Sequence, residues 1–160
     1  MPANSTEAKS LKLVTFLIDQ QRYALHLERV QRVLPMVALI SLPDAPAIAL
    51  GLFNYHGCII PVLDVRKRFG RVSREPNLND YLLLASTRQK VVALPVDRVH
   101  GVHEVMVEAV IPSGTVLAGI GYVEGLVALS DGILYIHDLD AFLSVEETAH
   151  LDQALRGASS

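Results

Sequence analysis

The feature that most constrains the fold is an internal repeat. Residues 13–33 (LVTFLIDQQRYALHLERVQRV) align without a gap with residues 82–102 (LLLASTRQKVVALPVDRVHGV), at an offset of 69. A period this long exceeds that of solenoid repeats and predicts a duplicated small module; chance similarity between two apolar strand pairs is the alternative. The identical columns are Leu13/Leu82, Gln20/Gln89, Ala24/Ala93, Leu25/Leu94, Arg29/Arg98, Val30/Val99 and Val33/Val102.

A second match follows each copy, with a spacing that drifts by about one residue. Residues 51–64 begin with Gly-Leu, contain His-Gly and end with Asp, and residues 125–138 begin with Gly-Leu, contain Asp-Gly and end with Asp. These small and polar residues are typical of turns and caps. We therefore predict structural turn roles for Gly57, Asp64, Gly125 and Gly132. The polar stretch 71–80, which carries Pro76, is the best candidate for a linker between the copies.

Short apolar alternations run along most of the chain, with turn signals every eight to twelve residues or so. Ten or more short strands in 160 residues favour closed or nearly closed barrels over a parallel sheet. Aromatic residues make up 6% and Trp is absent, so the core must be aliphatic. Ser144 and Glu147 have the spacing of a helix capping box, and an apolar face is predicted for the helix that follows: Val145, Ala149, Leu151 and Leu155.

No catalytic, cofactor or metal site is predicted. Cys58 is the single cysteine, and because Ile59 and Ile60 follow it we expect a buried, structural thiol. His100 and His103 are expected on opposite faces of a strand, without a third ligand at a suitable spacing. The N-terminal residues lack the apolar run of a signal peptide, so a cytoplasmic protein is expected.

Charge is distributed unequally between the two copies. Arg66, Lys67, Arg68, Arg71 and Arg74 follow the first copy, whereas the equivalent end of the second is acidic, with Asp138, Asp140, Glu146 and Glu147. Solvated turns are the simplest explanation for both sets, although opposite signs would also let the two halves face different partners. Nucleic-acid binding through the arginines is a weaker alternative, because the net charge is −3 and no aromatic residues interleave them.

Two longer motifs carry a family resemblance. Residues 22–33 have the sequence RYALHLERVQRV and residues 51–66 the sequence GLFNYHGCIIPVLDVR, with VVALPVD at 91–97 and GLVAL at 125–129 in the second half. This combination resembles the CheW family of bacterial chemotaxis scaffold proteins, from about Leu11 to the C-terminal helix. The resemblance implies an all-β fold of two SH3-like five-stranded β-barrels packed on a shared hydrophobic core, with a short C-terminal helix.

The resemblance also implies a non-enzymatic adaptor without cofactors. Such a protein couples a CheA-type histidine kinase, through the kinase's CheW-like regulatory domain, to the cytoplasmic tip of a chemoreceptor in a membrane-associated array. Service in a pathway for surface motility or second-messenger output, and a small ligand-binding β-barrel, are alternatives. The implied organisation is a disordered stretch 1–10, a first barrel over about 11–70, a linker 71–80, a second barrel over about 81–143, a helix 144–156 and a tail 157–160, with intertwined barrels as the alternative.

The residues expected on the receptor side follow from the same resemblance: Val30, Arg32, Val33, Phe53, Asn54 and His56. Two of them depart from the family pattern, because Arg is usual where His56 stands and an acidic residue is common where Arg32 stands. An ordinary pair between arginine and an acid therefore cannot form here. Core positions for Val30 and Val33, and a purely turn-shaping role for Asn54, are alternatives.

Overall fold

Eleven β-strands and two α-helices form the described part of the chain, residues 9–112 and 122–158 of a computed structural model. The strands are β1 (Ser10–Ile18), β2 (Gln21–His26), β3 (Val30–Pro35), β4 (Ala49–Tyr55), β5 (Cys58–Leu63), β6 (Tyr81–Ser86), β7 (Val91–Val96), β8 (Arg98–Met106), β9 (Val110–Pro112), β10 (Val123–Leu129) and β11 (Gly132–His137). The helices are α1 (Val65–Arg68) and α2 (Val145–Ala158).

The strands form two sheets that do not follow the order of the two sequence copies. The terminal sheet has the order β8-β1-β2-β11-β10-β9, and the central sheet has the order β3-β6-β7-β5-β4. Each sheet joins the first hairpin of one copy to the second hairpin of the other, through a parallel pair: β2 with β11 and β7 with β5. Residues 11–70 and 81–143 thus each contribute strands to both sheets, and the two halves are intertwined.

Both sheets are joined edge to edge by short connections. In the terminal sheet, the edge strands β8 and β9 are linked by the single 3₁₀ turn Val107–Ala109. In the central sheet, the chain after β3 reaches Ile40, which exchanges two backbone hydrogen bonds of 2.7 and 2.9 Å with Leu52 of β4 at the other edge. Edges joined in this way curl each sheet into a barrel. The predicted pair of barrels is confirmed, with β9 as a short sixth strand in one of them.

Equivalent glycines permit these closures. A Cβ at Gly51 would lie 2.8 Å from the carbonyl oxygen of Ile40. At Gly125 it would lie 2.7 Å from Cγ1 of Val110, on the strand that closes the other barrel. Glycine is therefore required where the closing segment approaches the backbone. Gly132 begins β11 and has open space around its Cα.

The core has three parts, and one of them is shared by the barrels. The interior of the central barrel contains Met36, Phe53, Ile60, Val62, Leu82, Leu84 and Ala93, and that of the terminal barrel contains Leu13, Ala24, Val127, Leu134 and Ile136. The largest cluster draws on both sheets, the segment between β3 and β4, and α2, and it includes Phe16, Tyr23, Leu25, Leu63, Leu83, Leu94, Phe142 and Leu151. The expected shared hydrophobic core is this third cluster.

The C-terminal helix begins at the predicted capping box. The Ser144 hydroxyl accepts a 3.0 Å hydrogen bond from the Glu147 amide, and the Glu147 carboxylate accepts one of 2.9 Å from the Ser144 amide. The predicted apolar face is wrong in its first turns, because Val145 is 86% exposed and Ala149 is also exposed. Leu151 and Ala154 are the buried residues.

The structure also moves the predicted limits of the N-terminal and C-terminal unstructured stretches. Ser10, expected to be disordered, begins β1, and Gly157 and Ala158, assigned to a tail, lie within α2. The remainder of the predicted N-terminal stretch, 1–8, and the last two residues lie outside the described residues.

Candidate partner-binding surface

The β4–β5 turn presents His56 in a fixed backbone conformation. His56 and Gly57 both have positive φ, of 53° and 90°, as the type I′ hairpin turn requires. The Asn54 side-chain oxygen accepts a 2.7 Å hydrogen bond from the Gly57 amide, so Asn54 does shape the turn. The exposed His56 ring packs edge-on against Tyr55, with 4.4 Å between the ring centroids. The imidazole is therefore accessible on a preorganised loop.

The three expected receptor-side residues on strand β3 differ from one another in exposure. Val30 is half-buried against the shared core, whereas Arg32 and Val33 are exposed. The ladder with β6 shifts register between Val30 and Arg32, as in a β-bulge. The pairing registers place the start of β3 and the β4–β5 turn at the same end of the central sheet. Neither Arg32 nor His56 forms an ion pair within residues 9–112 and 122–158.

Phe53 and Cys58 have exposures opposite to those expected. Phe53 is only 5% exposed and packs inside the central barrel, so its side chain does not belong to the surface. Cys58, expected to be buried, is exposed because it is the first residue after the turn, opposite Tyr55. The prediction of a buried thiol is wrong.

One column of the sequence repeat is apolar and exposed in both copies. Val33 on β3 and Val102 on β8 are 40% and 55% exposed. Their neighbours at the preceding shared column, Val30 and Val99, both pack against the shared core. We call these four residues the edge-strand valines. They place matching apolar side chains on an outermost strand of each barrel, and the sequence interpretation missed Val99 and Val102 although the repeat contained the signal.

Three side chains of the basic cluster, Arg66, Arg68 and Arg74, are paired with carboxylates within the protein. Arg66, 7% exposed, donates to Asp19 at 2.5 Å and also to Asp97. Arg74 binds Asp80 through two hydrogen bonds of 2.9 Å, and Arg68 contacts both Glu147 oxygens at 2.7 Å. These guanidinium groups are therefore not free to bind phosphates. The expectation of solvated turns is wrong for the buried Arg66, whereas Lys67 and Arg74 are exposed, and nucleic-acid binding loses the support of the three paired arginines.

The pKa of the Asp97 carboxyl reflects this pairing. Burial opposes ionisation, but hydrogen bonds from the Asp19 amide and from Arg66, together with the positive charge of Arg74, lower the pKa below its ordinary value. Arg66 follows β5 of the central sheet, Asp19 lies in the β1–β2 turn of the terminal sheet, and Asp97 follows β7. The first ion-pair cluster (Asp19, Arg66 and Asp97) thus connects the two barrels.

A second ion-pair cluster occupies the equivalent place in the other half. Asp140 binds Arg29 at 2.5 Å and the Arg88 Nε at 3.3 Å. Asp140 is equivalent to Arg66 at the offset of 74 that aligns the second hairpins, and Arg88 is equivalent to Asp19 at the offset of 69. The sign of the charge is reversed at both positions. Asp140 of the acidic end therefore pairs internally, like Arg66 of the basic end.

The helical turns that carry these charges are capped in the same way. The Asp64 carboxylate accepts a 3.1 Å hydrogen bond from the Lys67 amide and a 2.9 Å hydrogen bond from the Ser73 hydroxyl. The equivalent Asp138 carboxylate accepts one of 3.3 Å from the Ala141 amide. Both aspartates thus act as N-caps, which fixes the orientation of the residue two positions further on.

The described residues offer neither a metal site nor a membrane-spanning helix. Among the described residues, no three His, Cys, Asp or Glu side chains are arranged to hold a metal ion. Both His100 and His103 are exposed on β8. None of the described helices combines the length and the apolar character needed to cross a bilayer.

Known proteins are similar to this chain in architecture and in sequence. The family model for the CheW-like domain matches residues 12–147. A probable chemotaxis protein CheW of Rhizobium etli is 25% identical over 139 residues, covering 86% of this chain and 90% of that protein. Chemotaxis protein CheW of Treponema pallidum is 28% identical over 151 residues, with coverages of 89% and 88%. The structure of the scaffolding protein TtCheW of Thermoanaerobacter tengcongensis superposes on this chain with a TM-score of 0.78 at 27% identity. The match covers 87% of this chain and 96% of that chain.

Proposed function

The chain belongs to the family of CheW-like domains and acts as an adaptor in chemotaxis signalling, and we propose that it couples a CheA-type histidine kinase to the cytoplasmic tip of a chemoreceptor. The coupling is non-covalent, and no catalytic step is required of the chain. Recruitment to a membrane-associated array follows from binding the receptor tip. One barrel and the groove between the barrels hold the receptor tip, and another barrel surface pairs with the homologous domain of the kinase.

The observation that carries this proposal is the exposure of apolar side chains at matching places on both barrels. Val33 and Val102 extend from outermost strands, and Val30 and Val99 join them to the shared core. An amphipathic helix docks through apolar residues spaced along one face, and it requires an apolar groove on its partner. A receptor tip made of helices meets this requirement if it lies along the edge-strand valines.

The departures at Arg32 and His56 supply a test of receptor recognition. We expect His56→Arg to alter affinity for the cognate receptor tip, because a permanent charge replaces an imidazole on an exposed turn. The double variant Arg32→Glu/His56→Arg restores the family's ordinary pair and should shift preference towards receptors recognised by that pair. His150→Arg, on the exposed side of α2, is the matched control. Unchanged affinity for His56→Arg, with an unchanged thermal midpoint, would refute the role of His56.

Co-purification from the native cell tests the proposal as a whole. An affinity-tagged chain should bring down both a CheA-type kinase and a receptor with a cytoplasmic coiled coil. Recovery of a kinase and receptor that govern surface motility or second-messenger synthesis would assign the adaptor to such a pathway. Recovery of neither, from cells that express both, would contradict the coupling role.

A further inference from the structure

An aromatic pocket lies between the terminal barrel and the segment that follows α1. Its volume is about 440 Å³. The chain has five Tyr, four Phe and no Trp, and four of these nine rings line this pocket: Tyr23, Phe69, Tyr122 and Tyr135. Tyr23 stacks on Phe69 with 4.3 Å between centroids and lies 5.7 Å from Tyr135. Such a concentration of rings in an aromatic-poor chain marks the pocket as a candidate ligand site.

Arg71 provides the pocket with a cation. Its Nε donates a 3.3 Å hydrogen bond to the Tyr23 hydroxyl, and this bond raises the pKa of the guanidinium above its ordinary value. The remaining guanidinium N–H groups have no hydrogen-bond partner within residues 9–112 and 122–158. The carboxylate of Asp19, which also lines the pocket, is bound by Arg66. Arg71 is thus anchored at one nitrogen and has donors available for a ligand.

The equivalent pocket of the other half differs in this respect. It has a volume of about 470 Å³ and lies between the β6–β7 turn and α2. Arg88 and Val145 occupy the places that Asp19 and Arg71 hold in the aromatic pocket. The charged side chains there are matched, because Lys90 pairs with Asp152 and Arg88 with Asp140. The charged side chains of this pocket are therefore paired within the protein, whereas Arg71 of the aromatic pocket keeps N–H groups without a partner among the described residues.

The chemistry of the pocket selects among ligands. A cation, which aromatic faces often bind, is repelled by Arg71. Asp19 repels any anion, but a phosphate dianion is repelled more strongly and finds only one guanidinium, whereas a singly charged carboxylate is matched by the planar fork of Arg71. Aromatic walls favour a flat ring that stacks against them or meets them edge-on. We propose that the aromatic pocket binds an aromatic carboxylate, with its flat ring against the aromatic walls of the pocket and its carboxylate on Arg71, a site beyond the coupling function.

Calorimetric titration of the full chain with indole-3-acetate tests this site, and indole-3-acetamide is the neutral probe of matched shape. We expect a Kd of about 1 mM or tighter for the acid and binding at least about tenfold weaker for the amide. Arg71→Gln should weaken binding of indole-3-acetate by a similar factor and leave binding of indole-3-acetamide unchanged. Arg88→Gln, which removes the same charge from the equivalent pocket, should change neither titration.

Further variants guard against a folding defect. Arg71→Lys keeps the charge but loses the fork, and we expect intermediate affinity. Tyr122→Ala should weaken binding of both probes, whereas Tyr81→Ala, on the central sheet, should weaken binding of neither. The thermal midpoint of each variant reports whether it is folded. Equal affinity for acid and amide, tighter binding of AMP than of the acid, or no heat and no amide resonance shifts at about 10 mM probe would each overturn the proposal. None of these outcomes depends on the kinase or receptor.

Discussion

The two ion-pair clusters occupy equivalent places in the two halves, but their charges are reversed. In one, Arg66 lies between Asp19 and Asp97; in the other, Asp140 lies between two arginines. The reversal concerns the hairpins β1–β2 and β6–β7, which share some buried columns but differ in side-chain volume at others, as at Phe16/Ala85 and Tyr23/Val92. Packing and charge therefore both distinguish the two hairpins. If the hairpins exchanged places, Asp19 would face Asp140 and Arg88 would face Arg66, and the like charges would repel.

The clusters also differ in burial, and this sets the largest expected effect. The central Arg66 side chain is 8% exposed, and the central Asp140 side chain is 21% exposed. Arg66→Ala leaves Asp19 without its cation, whereas Asp97 keeps Arg74, and we expect a loss of about 2–3 kcal/mol in the free energy of unfolding. Asp140→Ala should cost about 1–2 kcal/mol, because its partners reach solvent more easily. Urea denaturation measures both, and equal costs would show that burial does not distinguish the clusters.

A second contrast concerns the residues that end β5 and β11. Leu63 and His137 are equivalent at the offset of 74 and are both 1% exposed. Neither ring nitrogen of His137 has a hydrogen-bond partner within the described residues, and the ring lies 4.9 Å from Phe69 and 5.1 Å from Phe142, measured between centroids. Burial, with the nearby charge of Arg68, lowers the pKa of His137 to about 3.

This contrast predicts an acid-dependent loss of stability. The folded-state pKa lies below the unfolded value of about 6.5, so the unfolded chain binds the proton first. The stability present above that value should fall by about 2 kcal/mol between pH 6.5 and 4.5, and continue to fall towards pH 3. His137→Leu, which introduces the residue of the other half, should remove this component. Parallel pH profiles for the variant and the unsubstituted chain in urea titrations would contradict the assignment.

Substitutions at the edge-strand valines test whether the two halves contribute equally to receptor binding. We expect Val33→Asp and Val102→Asp each to weaken receptor-tip binding about tenfold or more, because a charge replaces an apolar contact. Stability should change by less than about 0.5 kcal/mol, since both side chains are exposed. Val145→Asp, at an exposed apolar residue of α2, is the control for added charge. An effect confined to one valine would place the receptor on one barrel.

The smallest expected difference lies between the two N-caps. Asp64 accepts two hydrogen bonds, of 2.9 and 3.1 Å, whereas Asp138 accepts one of 3.3 Å. Asp64→Ala should therefore cost about 1–2 kcal/mol, and Asp138→Ala about 0.5–1 kcal/mol. Thermal unfolding of the two variants, with Glu75→Ala as a control at an exposed loop position, resolves them. A larger cost at Asp138 would mean that contacts other than capping dominate there.

The sequence predicted the elements well because their signals are local. The alternation of side chains marked each hairpin, and Ser144 with Glu147 marked the start of α2. The same alternation could not assign exposure on the receptor side. Phe53 and Val33 both occupy apolar strand positions, yet one lies inside a barrel and the other on its rim. Cys58 differs from its prediction for a related reason, since a residue beside a turn escapes the burial that its apolar neighbours suggest.

The repeat was determined by the sequence itself because it is a match of residue types along the chain, and the hairpins and the capping residues because each depends on residues a few positions apart. The tertiary structure decided which hairpin pairs with which, and therefore that both barrels draw on both copies. It also decided that Arg66 and Asp140 are paired with charges of distant segments instead of facing solvent. These outcomes depend on side-chain volumes and charges that meet only once the chain has folded, so no local pattern in the sequence specifies them.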